Sequence, residues 1–123
     1  MAKKPNYKEY NEINYEGMMR NPDEYYDSSR YSYTHYKFTG KVIQIVHEDD
    51  ASEKIPMTLA RVATRGNSKD VVCVNFYQRG NTRILEGDNL TLYCRFTGLE
   101  NYKTVLGANS TYPEFYADAI AFN

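Results

Sequence analysis

The chain has no tryptophan, two cysteines, two histidines and four prolines among its 123 residues. Cys73 and Cys94 are too few for a disulfide framework and too far apart for a zinc motif. Neither His35 nor His47 has a second ligand at helical spacing. No run of about 18 apolar residues occurs, which excludes a membrane-spanning helix. The start, Met1-Ala2-Lys3-Lys4-Pro5, is basic like a secretory signal, but no apolar stretch follows it, so a cytoplasmic location is expected. A charge excess is lacking too. Fifteen basic against 16 acidic residues leave a net charge of −1, which excludes a binder driven by bulk positive charge. There is no Gly-rich phosphate loop. The acidic run Glu48, Asp49, Asp50 and Glu53 lacks the alternation and glycine of a calcium loop. Cys73 falls mid-strand among valines and Cys94 mid-strand beside Tyr93, positions where thiols are buried and inert. These absences point away from an enzyme, a metal site and a cofactor.

What is abundant is tyrosine, with 13 residues. Residues 1–36 hold eight of them, and Ile13, Met18 and Met19 are the only large aliphatics there apart from Met1. Such a segment cannot build a core alone. Asn14 is placed to cap a short helix carrying Tyr15, Met18 and Met19, and Pro22 ends it and starts another turn. Residues 1–35 therefore read as an N-terminal arm with a short helix, and residues 36–123 as the folded domain. Residues 13–26 are expected to pack on the open end of that domain. Residues 1–12, with Tyr7 and Tyr10 as anchors, are expected to reach a neighbouring copy and build a homo-oligomer.

From Tyr36 the apolar period becomes two. Strands are expected over 36–46, with a bend or bulge near Gly40, then 55–64, 70–78, 89–97 and 113–122. Arg65-Gly66-Asn67-Ser68 and Glu86-Gly87-Asp88-Asn89 are turns, and residues 98–112 form a long loop with room for a small hairpin. Phe38, Val42, Leu90, Leu92 and Ile120 are the expected core. Five strands without a long helix define an all-β chain, and a five-stranded OB-fold barrel fits best, ahead of an SH3-like barrel. A β-sandwich would need about seven strands.

Several short segments occur in an order that carries a likeness. They are Arg20-Asn21-Pro22-Asp23 with Tyr25, Phe38-Thr39-Gly40-Lys41-Val42-Ile43, Arg61-Val62-Ala63-Thr64, Asp70-Val71-Val72, Gly87-Asp88 and Tyr116-Ala117-Asp118. Over roughly residues 15–120 the chain resembles a small OB-fold domain of Gram-positive bacteria and their mobile elements. That domain occurs in secreted lipoproteins, and is similar to single-stranded-DNA-binding proteins of phages and conjugative plasmids. The lipoproteins begin with a lipid-attachment cysteine that this chain lacks, so the resemblance implies the intracellular branch.

OB-folds hold oligonucleotides on the outer face of strands two and three and on adjoining loops. Basic side chains follow the backbone of a single strand while rings stack under its bases. Arg61, Asn75 and Tyr77 alternate outward on those strands. Arg65, Lys69 and Arg79 flank them, Lys41 lies on the first strand, and Tyr102 and Lys103 lie in the loop after strand four. Between Met57 and Leu106 there are seven basic and four acidic residues, a local surplus hidden by the overall balance. The expected function is binding of single-stranded DNA, with RNA left open, with little sequence preference and no membrane partner. It would coat strands during phage or plasmid replication, recombination or transfer. About four or five phosphate contacts would give a log–log salt slope of roughly −3. The alternative is a protein-interaction or extracellular OB-fold domain of the lipoprotein type.

Overall fold

A computed structural model describes residues 10–25, 35–50, 52, 54–66, 69–77, 83–103 and 106–123. The arm begins as its sequence foretells. Helix α1 (Tyr15–Arg20) is capped by Asn14, whose side-chain oxygen accepts from the Gly17 N–H at 3.0 Å. Such a cap is worth about 1 kcal/mol. Asn21 closes the helix by donating its N–H to the Gly17 carbonyl at 2.7 Å. Pro22 then opens a 3-10 turn, Pro22–Glu24, where its missing N–H costs nothing.

Five strands follow: β1 (His35–Glu48), β2 (Met57–Arg65), β3 (Lys69–Tyr77), β4 (Asn89–Lys103) and β5 (Asn109–Phe122). They form one sheet in the order β1-β2-β3-β5-β4, and β4 returns to β1 to close it. All pairings are antiparallel except β3 with β5, which is parallel over Cys73–Asn75. Closure depends on β1. Its first half, His35–Lys41, pairs with β4, and Lys41 to Glu48 pairs with β2 through two register shifts. The expected bulge falls just past Gly40, at the register shift between Val42 and Gln44.

Gly40 is there for room. A Cβ on it would lie 2.4 Å from Val62 Cγ1 and 2.9 Å from the Ala63 carbonyl oxygen. The backbone oxygen cannot swing aside. Gly40→Ala is expected to destabilise the protein by about 1–3 kcal/mol through overpacking. Urea unfolding followed by circular dichroism should show a lower midpoint at an unchanged m-value. An unshifted midpoint would mean that β1 and β2 separate freely here.

The five expected core residues Phe38, Val42, Leu90, Leu92 and Ile120 are all buried. Phe115 of β5 is fully buried, with its ring centroid 5.0 Å from Phe38, 5.4 Å from Phe96 and 6.0 Å from Tyr36. Met18 of α1 is equally inaccessible and joins the same cluster, and Ile13, Tyr15 and Tyr25 pack against it from outside.

One expectation is sharpened: within residues 98–112 the hairpin is made by the strands themselves, because β4 continues to Lys103, which pairs with Asn109 at the start of β5. Gly98, at φ +113°, carries β4 past a register shift that a side chain would resist. Tyr10 is engaged within its own chain: its ring lies 5.3 Å from that of Tyr93, edge-on, and Asn11 forms a parallel bridge with Tyr36. Tyr7, the other anchor expected of the arm, lies outside the described residues. No helix among the described residues is long and apolar enough to cross a membrane.

Candidate nucleic-acid interface

Alternation decides what β2 and β3 show outside. Ala60, Val62, Val72, Val74 and Phe76 enter the core, so their neighbours in sequence face outward. The outward pairs are Met57 with Tyr77, Leu59 with Asn75, Arg61 with Cys73, Ala63 with Val71 and Arg65 with Lys69. β5 extends these rows by setting Glu114 beside Cys73 and Tyr116 beside Asn75, and β4 adds Arg95 beside Tyr116.

Two ring clusters occupy this face. In the first, Arg61 donates from Nη1 to Gln44 Oε1 at 2.8 Å and from Nη2 to the Tyr112 hydroxyl at 2.6 Å. Its guanidinium lies 4.8 Å from the Tyr112 ring centroid, and Tyr102 lies 6.2 Å beyond. Tyr102 reaches back to donate to Glu114 Oε2 at 2.5 Å. Burial and that bond both hold the Tyr102 phenol well above its ordinary pKa. Beneath it the Cys73 thiol is pushed up to about 11 by burial, which makes it inert; burial raises Cys94 as well. Tyr15 of α1 borders this cluster. Its hydroxyl is raised first by burial and then by Asp70, Tyr112 and Cys73.

In the second cluster the Tyr77 and Tyr116 rings meet edge to face at 5.6 Å. The Arg95 guanidinium lies 4.7 Å from the Tyr116 centroid, while its Nη2 and Nε bind Asp118 at 2.9 and 3.1 Å.

Charge separates the two arginines. Among the described residues Arg20, Arg65, Arg83 and Arg95 each reach a carboxylate. Arg61 reaches only neutral groups, and its Nε is buried without an acceptor. A desolvated cation without a counter-charge is costly, and an anionic ligand would relieve it.

Of the residues singled out from sequence, Arg61, Asn75, Tyr77 and Tyr102 come together on this face. Arg65 and Lys69 stand at its end by the β2–β3 turn, where Arg65 is held 3.4 Å from Asp70. Lys103 is exposed on the hairpin, and Lys41 sits across from Ala63, one outward row beyond Arg61. Arg79 lies outside the described residues. Among the described residues, folding sets acids against part of the expected basic surplus. Arg83 pairs with Glu48 at 2.5 Å and Arg95 with Asp118, both acids from outside the counted window, and Glu114 sits within the face.

Gln44, Arg95, Tyr112, Glu114 and Tyr116 were missed. The alternation Tyr112-Pro113-Glu114-Phe115-Tyr116-Ala117 already marked the last three as outward strand positions. Within the acidic run, Asp49 has a structural role. Asp49 accepts from the Met57 N–H at 3.0 Å and meets His47 Nε2 at 2.7 Å, and both contacts hold its carboxyl below the usual range.

No protein-family model matches this chain, and no curated protein matches it.

Proposed function

We propose that the closed sheet is an OB-fold barrel and that the chain binds single-stranded nucleic acid, DNA in the first instance, across the face of β2, β3 and β5. The strand order supports the fold. The observation that carries the function is Arg61: a half-buried cation with neutral partners and an Nε without an acceptor, set beside the Tyr112 ring. A phosphate would supply the missing charge, and Tyr77, Tyr116, Tyr102 and Tyr112 offer rings on which bases stack without regard to sequence. Coating of exposed strands in the cytoplasm, in a phage or conjugative element, fits such tolerance. An arm-mediated oligomer, expected of residues 1–12 with Tyr7 and Tyr10 as anchors, remains part of this proposal.

Fluorescence anisotropy with labelled oligonucleotides over a salt series tests it. With Arg65 and Arg95 tied to carboxylates, about two or three phosphate contacts remain for a short strand, and the log–log slope should be roughly −2 rather than −3. Tyr77→Ala should cost about 1–3 kcal/mol of binding. Arg61→Ala should flatten the slope by about 0.7. Duplex DNA, whose bases are already stacked, should bind more weakly. No binding at low salt would defeat the reading. It would favour the protein-interaction alternative, which draws support from the Arg95–Asp118 pair and Glu114 balancing the face.

A further inference from the structure

Beyond Arg61 the outward rows continue onto a surface of different character. Ala63, the next outward residue of β2, faces Lys41 of β1. Lys37, Thr39 and Lys41 share the outer side of β1, because Tyr36, Phe38 and Val42 enter the core. Across from them β4 presents Tyr93, Thr91 and Asn89, and behind these β5 presents Ala119 and Ala121. Asn123 closes the end, donating its N–H to the Asn89 carbonyl at 3.0 Å. These positions include two lysines and no acidic side chain. Neither lysine is in an ion pair among the described residues. Around Lys41 the surface dips into a recess of about 390 Å³ lined by Thr39, Lys41, Thr64, Asn89 and Asn123. Asn123 Oδ1 accepts from Thr91 Oγ1 at 2.6 Å, which leaves the amide nitrogen as a donor.

We propose that this strip takes the sugar–phosphate backbone of the strand as it leaves the tyrosine face; the inference rests on the nucleic-acid reading above. Two lysines without an ion-pair partner among the described residues favour an anion. Lys37 and Lys41 are four residues apart on an extended strand, about 13 Å, so a ligand that uses both carries repeated charges. Bases find no platform here. Tyr93, the one ring of the strip, is 9% exposed, with Tyr10 against its ring and Lys37 Nζ 5.5 Å from its centroid. The strip therefore binds phosphates and ignores bases. A short strand ends on the tyrosine face, and a longer one adds Lys41 and Lys37.

The test uses a short base-bearing oligonucleotide, alone and extended at either end by an abasic sugar–phosphate tail, with the parent and the Lys37→Gln/Lys41→Gln variant. Both lysines are outward, so melting should be unchanged. For the parent, one tail should tighten binding and steepen the salt slope by about 1.4, two contacts at about 0.7 each. In the variant that gain should vanish. A gain that persists in the variant, or no gain in the parent, overturns the strip. Failure of the parent to bind the untailed oligonucleotide at low salt overturns the function itself.

Discussion

Phe115→Ala is expected to destabilise the protein by about 3–5 kcal/mol, a large part of the stability of a domain this size. Phe115 is where the core rings converge, since Phe38 arrives from β1, Phe96 from β4 and Tyr36 from the start of β1. The flanking residues Glu114 and Tyr116 face the opposite way, into the candidate interface. A cavity inside would therefore also loosen the strand that carries half of the rings outside. Urea denaturation should give the loss directly, and Phe115→Leu, which keeps most of the volume, should lose much less. Near-parental stability of the alanine variant would show that the sheet does not close around this ring.

Met18→Ala is expected to cost about 2–5 kcal/mol, although Met18 precedes the first strand by many residues. Its side chain has no accessible surface and belongs to the same buried cluster as Phe115 and Leu92. Met19, next to it, is partly exposed, and Met19→Ala should cost far less. Comparing the two by thermal melting separates burial from helix propensity, which they share. Equal, small losses would make α1 an ornament on the domain. The expected inequality makes it part of the core, with Asn14 and Pro22 as the residues that shape it.

The local parts of this architecture were legible, and the reason is periodicity. Leu90, Leu92, Cys94 and Phe96 alternate without interruption, as do Val72, Val74 and Phe76, and strands with one buried side announce themselves that way. Asn14 and Pro22 bounded the helix by capping chemistry. In sequence Gly98 and Gly107 give residues 98–112 the look of a loop, whereas Gly98 lets a continuing strand turn. The candidate interface was half legible. Arg61, Asn75 and Tyr77 follow from alternation alone. That Arg61 would meet Tyr112, some fifty residues on, depends on a hairpin folding back across another strand, and no local pattern encodes it. The basic surplus misled for the same reason. A window of sequence counts charges, but Glu48 and Asp118 reach in from beyond it to neutralise Arg83 and Arg95.

The short bridge between Asn11 and Tyr36 bears on solubility. A sheet that closes through a strand shared by two partners leaves unpaired peptide groups wherever one partner has stopped and the other has not begun. On β1 that stretch lies at its start, where β2 has not yet arrived. Asn11 fills it, donating to the His35 carbonyl at 2.9 Å and accepting from the Lys37 N–H at 3.1 Å. Further along, Glu86 accepts the Ile45 N–H at 3.3 Å. An uncovered strand margin is a template for another chain. The residues just before α1 thus serve as a guard rail: they deny strangers a place to add a strand and keep the molecule from polymerising through its own backbone.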